Sequence, residues 1–199
     1  ICSDEMLQRY SQINKTYWER LENGEISKSE VLIGRFRDFF REEGLDTSLA
    51  EKFNEDYQIR LGDTIVYQDD SLDIVRSLKG KVKQYVVSNG TVLAQTRKLK
   101  LSGLGDLMEG IFLSETLGAE KPSLAFFQKV FSALGDVDKS RTLIIGDSLT
   151  SDIRGGNNAG ILTCWYNPGH FSADSRYTID YEIADLHELY HILSPFCSK

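Results

Sequence analysis

Cysteine, histidine, methionine and tryptophan are all scarce in these 199 residues, at 3, 3, 2 and 2, and the shortages exclude several kinds of protein. Cys2, Cys164 and Cys197 are odd in number and lack metal-ligand spacing, which argues against a disulfide framework and for a reduced, cytoplasmic chain. His170, His187 and His191 show no metal spacing with one another or with the cysteines, so surface or packing roles are expected. No apolar run approaches membrane-spanning length, and no charged, apolar, small-residue signal opens the chain. Basic residues are outnumbered too, 23 against 30 acidic, for a net charge of -7. That balance excludes a general nucleic-acid surface, which needs clustered Lys and Arg to neutralise phosphates. Small anionic partners stay open if a metal screens them. There is no internal repeat and no low-complexity stretch.

What is present is an ordinary globular composition, 41% apolar and 27% charged, on a length that suits one large domain or a domain carrying a small insertion. The pattern changes character once, near residues 62–66. Before it everything reads as helix. From Ser3 the apolar positions Met6, Leu7, Tyr10, Ile13, Tyr17, Trp18 and Leu21 recur at three and four, and Gly24 is placed to end the helix. A second helix starts at Ser27, with Glu30 completing a capping box, and should bury Val31, Leu32, Phe36, Phe39 and Phe40. Ser48 and Glu51 predict the same capping relation for a third, with Leu49, Phe53 and Tyr57 on its apolar face.

After Gly62 helix and strand alternate, the signature of a parallel sheet wrapped by helices. The spacing predicts helices over 71–78, from Thr91 to about 101, over 124–134, after Asp152 to 159 and over 186–193. Strands are predicted over 84–87, 110–113, 143–146 and 162–165. In open sheets of this kind the ligand crevice lies beyond the carboxyl ends of the strands, and three of those ends carry polar residues. At Ser88-Asn89-Gly90-Thr91 a hydroxyl and backbone N–H groups meet a helix start, which suits an anion; the plainer alternative is that Ser88 or Thr91 only caps the helix. At Lys121-Pro122 the proline restrains the lysine's backbone and suits a first helical turn, so Lys121 is aimed; the alternative is a solvated surface lysine. At Leu143 to Asp152 an apolar run ends in Gly146-Asp147, with Asp152 five positions on. Asp147 could ligate a metal with Asp152 behind it, or Asp147 could simply cap the next helix.

Taken together, Ser88-Asn89-Gly90, Lys121-Pro122 and Gly146-Asp147 with Asp152 resemble motifs II, III and IV of the haloacid dehalogenase superfamily, over most of residues 64–199. The helices of residues 1–63 resemble its inserted C1 cap. Asn14 with Trp18, Asn23-Gly24, Gly34-Arg35-Phe36, the run Gly146 to Gly160 and Thr163-Cys164-Trp165 resemble the pyrimidine 5′-nucleotidase branch. The resemblance implies an α/β fold: a Rossmann-like, three-layer parallel-sheet core with an inserted helical-bundle cap. It also implies a Mg²⁺-dependent phosphomonoesterase working through an aspartyl-phosphate, with a phosphorylated metabolite, a nucleoside 5′-monophosphate in particular, as its substrate. Ser88 and Lys121 would be catalytic, Asn89 and Gly90 would bind substrate, Asp147 would hold Mg²⁺ and Asp152 would support it.

The superfamily's Asp-x-Asp nucleophile motif, expected after a first strand, is missing. Asp136-Val137-Asp138-Lys139-Ser140 has the spacing but follows a helix and its Gly135 stop, so it reads as a turn at the opposite edge of the sheet. The chain opens inside what resembles the first cap helix, and the expectation is that the natural protein carries a further strand, loop and helix of about thirty residues. Without that strand the sheet's two halves would expose unpaired edges. Substrate choice is expected to lie with the cap. Asn14 and Arg35 fall on otherwise apolar stripes and need partners, either a base, sugar or phosphate of the substrate, or a buried hydrogen bond or inter-helix salt bridge within the protein. Trp18 is either cap core or a stacking platform for a base. Two other functions remain open: another sugar or organic-acid phosphatase of the same fold, and a noncatalytic nucleotide-binding remnant lacking the nucleophile.

Overall fold

A computed structural model describes residues 3–197, so Cys2, one of the thiols expected to be reduced, lies outside the described residues. The chain forms two compact units that divide between Leu61 and Gly62.

The first unit holds α1 (Asp4–Glu22), α2 (Lys28–Glu42) and most of α3 (Ala50–Asp63). Ser3 caps α1 by accepting from the Met6 amide, and α2 has the complete Ser27–Glu30 capping box. The third start differs from expectation. Asp46, not Ser48, is the cap, accepting from the Ser48 amide to open a 3₁₀ turn, Thr47–Leu49, that leads into α3. An Asp two residues upstream offers the same bond at shorter reach, and the predicted Ser48–Glu51 box does not form. Phe36, Phe39, Phe40 and Ala50 form the core with Tyr10, Ile13 and Tyr57 around them, and Tyr10 stacks on Phe36 with centroids 5.4 Å apart. Burying each such aromatic contributes about 1.5–3 kcal/mol. Leu7, Leu49 and Phe53 lie outside the buried set despite their spacing, Leu49 being 55% exposed. Three short helices do not offer enough facing surface to cover every apolar position.

The second unit alternates helix and strand. After α4 (Ser71–Leu78), β1 (Tyr85–Ser88) leads to α5 (Val92–Leu101), β2 (Gly110–Leu113), the short α6 (Ser114–Leu117) and α7 (Leu124–Leu134). Then come β3 (Leu143–Gly146), α8 (Arg154–Ala159), β4 (Leu162–Tyr166), β5 (Tyr181–Ile183) and α9 (Leu189–Cys197). Among the described residues all the strand pairing is parallel, in two sheets. Tyr85 to Ser88 pair with Gly110 to Leu113, while β3, β4 and β5 pair in that order, with Gly146 opposite Trp165. β1 and β3 therefore each keep one edge free of ladder bonds. The three-residue β5 escapes sequence reading because it is too short to show a period.

Alternation along β3 builds the layers. Ile144 enters a core with Phe126, Phe127 and Val130 of α7, which also receives Val87 of β1 and Phe112 of β2. Its neighbour Leu143 faces the other way, toward Cys164, Ile183 and Leu189, where α9 packs. Helices thus cover both faces, and α7 holds the two sheets to one core. Ile145, apolar like its neighbours in the strand, is 40% exposed. It sits on the uncovered edge and lines a cleft at the strand's end.

Candidate functional site

The carboxyl ends of β1 and β3, with the loop before α7, bring the predicted polar residues together. Lys121 is central. Its side chain is only 8% exposed, and Nζ donates to Asp152 Oδ1 at 2.5 Å and to the Val87 carbonyl of β1 at 3.2 Å. That excludes the solvated-lysine alternative. Pro122 does not occupy the first helical turn as predicted; it follows a cis peptide bond, and Ser123 caps α7. What aims the lysine is Asn89. The Asn89 amide accepts from the Lys121 N–H at 2.8 Å and donates to the Lys121 carbonyl at 2.9 Å, closing a two-bond clamp on that backbone. A further long contact of 3.5 Å runs from Asn89 Nδ2 to Ser151 Oγ. Asn89 is 8% exposed, so its side chain is committed to positioning Lys121 and is not available to a substrate as expected.

Ser88 ends β1, and its Oγ accepts from the Gly90 amide at 3.0 Å, leaving the hydroxyl proton to donate elsewhere. Thr91 takes the helix cap, accepting from the Ala94 amide. The two hydroxyls, interchangeable in the sequence, thus divide the roles. Gly90 lies close against Gln95, whose Nε2 would be 2.5 Å from an added Cβ.

Beyond β3 the chain makes one π-helical turn, Leu149–Ile153, with the Asp152 and Ile153 amides both bonded to the Ser148 carbonyl. Single π turns of this kind are common at functional sites because they re-aim a side chain. Here the turn folds Asp152 back over Gly146, so closely that a Cβ on residue 146 would lie 2.2 Å from the Asp152 carboxyl carbon. Asp152 Oδ2 also accepts from the Ser148 amide at 3.2 Å. Ser148, not Asp147, caps the turn by accepting from the Ser151 amide. Asp147 is consequently exposed, and its carboxylate makes no hydrogen bond or ion pair among the described residues. Its backbone is held by Trp165, which is 3% exposed and donates from Nε1 to the Asp147 carbonyl at 3.0 Å.

A cleft of about 520 Å³ opens here, lined by Gln68, Asp69, Ile145, Gly146, Asp147, Tyr166, Pro168 and Leu186. Among the lining residues is Asp69, in the segment that leads into α4. It is held at a positive φ of 46° and accepts from the Tyr166 hydroxyl at 2.7 Å and the Leu186 amide at 3.1 Å. The hydrogen bond to Asp69 pushes the Tyr166 phenol up to about 12, so Tyr166 stays a donor at neutral pH. No local pattern marks Asp69 or Tyr166, which lie 97 residues apart.

Among the described residues no three acidic, histidine or cysteine side chains converge on one point. Of the two carboxylates that line the cleft, Asp69 is hydrogen-bonded and Asp147 is free to meet a cation. That fits a hard divalent ion such as Mg²⁺, which keeps several waters and takes one or two carboxylates plus phosphate oxygens. Asp138, of the decoy Asp-x-Asp segment, caps a 3₁₀ turn through the Ser140 amide and is a helix-to-strand turn, as its context predicts.

In the helical unit Asn14 and Arg35 find each other. Arg35 Nη1 donates to Asn14 Oδ1 at 2.6 Å, and Trp18 Nε1 donates to the same oxygen at 3.2 Å. Arg35 is 3% exposed, with its guanidinium carbon 4.7 Å from the Phe36 ring centre and 5.2 Å from that of Tyr57. The bond is an inter-helix hydrogen bond and not a salt bridge, and Arg35 Nε is buried without a partner. Desolvation holds the Arg35 pKa below its ordinary value. Elsewhere His187 bonds to Asp185, in keeping with a surface role.

A family model described as a haloacid dehalogenase-like hydrolase matches residues 3–160. The HAD-hydrolase YfnB of Bacillus subtilis (strain 168) is 35% identical over 192 residues, 96% of this chain and 81% of that protein. The pyrimidine 5′-nucleotidase PynA of Streptococcus pneumoniae (strain ATCC BAA-255 / R6) is 36% identical over 183 residues, 90% of this chain and 76% of that one. The pyrimidine 5′-nucleotidase YjjG of Escherichia coli (strain K12) is 29% identical over 189 residues, 95% and 83% of the two chains. A crystal structure of B. subtilis YfnB bound to magnesium is similar with a TM-score of 0.88 and 36% identity, covering 96% of this chain and 83% of that one.

Proposed function

The chain belongs to the haloacid dehalogenase-like hydrolases, and from that premise we propose that it is a Mg²⁺-dependent phosphomonoesterase acting on nucleoside 5′-monophosphates. The observation that carries the proposal is the division of labour after β3: Ser148 does the capping, so the Asp147 carboxylate stands free at a strand end beside the paired Lys121 and Asp152. Likeness to the two pyrimidine 5′-nucleotidases supports the nucleotide as substrate. A cytoplasmic setting belongs to the same proposal. Among the described residues no helix is long and apolar enough to cross a membrane.

In this proposal Asp147 holds the ion, which when bound neutralises charge on the phosphoryl oxygens. Ser88 donates its free hydroxyl proton to one phosphoryl oxygen, and the Gly90 segment brings backbone close to the group. Lys121 stabilises negative charge as it develops, held in place by the Asn89 clamp below and Asp152 beside it. Asp152 keeps the ammonium from folding away and compensates its burial. No residue of these 199 is assigned as nucleophile. Asn14, Trp18 and Arg35 are assigned to recognition of the rest of the substrate.

The test is phosphate release from nucleoside 5′-monophosphates by the natural full-length protein. Activity should require Mg²⁺, vanish with chelator, and fall by two orders of magnitude or more, on the order of 3 kcal/mol, in Asp147→Asn. Turnover indifferent to chelator or to Asp147→Ala would overturn the proposal.

A further inference from the structure

Gln95 stands four residues after Thr91, the residue that caps α5. Side chains on a helix lean toward its N-terminus, so a long one at this position covers the turn before it, which here joins β1 to α5. The Gln95 side chain lies against Gly90: a Cβ added to Gly90 would be 2.5 Å from Nε2, 2.8 Å from Cγ and 3.1 Å from Cδ. Gly90 is not among the glycines at positive φ, so what the glycine provides is space for this side chain and not a special backbone conformation. Gln95 is half-buried, and its main-chain N–H is spent on the Thr91 carbonyl. Among the described residues its side-chain amide has no hydrogen-bond partner.

The groups around that amide are already occupied. Asn89 is closed on Lys121, Ser88 Oγ accepts from the Gly90 amide, and Thr91 Oγ1 accepts from the Ala94 amide. The Val92 amide donates to Glu115 Oε2 at 2.6 Å. Two amides in the first turn of α5 are therefore withdrawn from any anion at this strand end, and side-chain donors gain weight. Two stand at the turn: the Ser88 hydroxyl proton and the Gln95 NH₂ group.

We propose that Gln95 is a further substrate-contacting residue of the strand-end site, donating through Nε2 to an oxygen of the phosphoryl group beside Ser88. The assignment rests on the phosphomonoesterase reading above and adds a donor to it. It lies wholly within the second unit, on the one stretch of chain that runs from β1 into α5. A hydrogen bond of this kind, half open to water, is worth about three- to tenfold in affinity.

Two variants of the full-length protein test this. Gln95→Met keeps the length and shape of the side chain but cannot donate; Gln95→Glu keeps the shape and sets a like charge against the anion. With Mg²⁺ held constant, Gln95→Met should weaken binding of inorganic phosphate by about three- to tenfold, and Gln95→Glu by more. No hydrogen bond is lost from the unliganded protein, so the urea midpoint of Gln95→Met should not fall. The direct readout needs no turnover: the side-chain NH₂ pair that disappears from the ¹H–¹⁵N spectrum of Gln95→Met belongs to Gln95, and it should shift in the wild type as inorganic phosphate is added. Equal phosphate affinity in wild type and Gln95→Met overturns the assignment, and so does a Gln95 pair that stays still, whether or not the Gly90 amide moves. Weaker binding accompanied by a lowered urea midpoint overturns it as well, since packing on Gly90 would then be the side chain's role. A Gln95 shift in a protein that hydrolyses no nucleotide upholds the phosphate contact and defeats the nucleotidase reading alone.

Discussion

Replacing Gly146 by alanine should expose how tightly the site is packed. Real Cβ atoms do not come within 3.0 Å of a non-bonded heavy atom, yet at residue 146 one would meet Asp152 Cγ and Oδ2 at 2.2 Å and Cβ at 2.5 Å. Asp152 would have to retreat by about 0.8 Å or more. It has little freedom to do so, being 7% exposed and bonded at 2.5 Å to Lys121 Nζ. Overpacking of this kind costs about 1–3 kcal/mol. Asp152→Gly removes all three of those contacting atoms, but it strands a buried ammonium, at a cost of about 3–5 kcal/mol. Backbone strain does not enter, because Gly146 is not among the glycines at positive φ. In the Asp152→Gly background the same alanine should therefore be neutral or stabilising by about 0.4–1 kcal/mol, through the unfolded chain alone. The sign of the substitution reverses with its partner. Urea denaturation followed by Trp165 fluorescence in a Trp18→Phe background measures all four corners of the cycle. Equal destabilisation by Gly146→Ala in both backgrounds would show that Asp152 is not what the glycine accommodates.

Asn89→Ala strands the Lys121 N–H and carbonyl together, and should cost about 1–3 kcal/mol by denaturant titration; an unchanged midpoint would dismiss the clamp. Burial pushes the Cys164 thiol up to about 12 from 9.0, so the folded protein keeps a proton that the unfolded chain releases. Its stabilising share is complete below pH 9 and is lost as the pH climbs toward 12, with a slope of at most about 1.4 kcal/mol per unit. Cys164→Ala should flatten the alkaline limb of the stability curve, and native Cys164 should resist thiol reagents at pH 8. His187 is held above its ordinary 6.5 by the hydrogen bond to Asp185, so its ring protons should titrate at higher pH than in Asp185→Asn, where an identical midpoint would refute the pairing.

Features made by neighbours in sequence were legible. The Ser27–Glu30 box closes within one helical turn, and the parallel strands after Gly62 show themselves as apolar runs bounded by turns. The same logic failed at Ser48 because Asp46, two residues away, competes for the same amides, and pattern matching does not rank two local caps. The three strand-end motifs were visible as residue types, and their order supplied the family. Their roles were not visible. Ser88 against Thr91, and Asp147 against Ser148, are equally good caps on paper; only the backbone path decides which oxygen meets the orphan amides.

The sequence by itself determined which residues could do chemistry, where the helices and most strands lie, and that acid, base and hydroxyl gather at strand ends. Those are consequences of periodicity and of side-chain functional groups, both carried locally. Tertiary structure alone decided which groups are spent and which are free. Asn89 is spent on a backbone 32 positions away, Lys121 is turned inward to a carboxylate 31 positions on, and Tyr166 reaches Asp69 across 97 residues. A buried polar group must find a partner, and the partner is set by the fold's crossings, which no local window of sequence contains. Asp147 stands out for that reason: among the described residues its carboxylate is left without a hydrogen bond or ion pair, at a strand end where Ser148 and Asp152 are already paired.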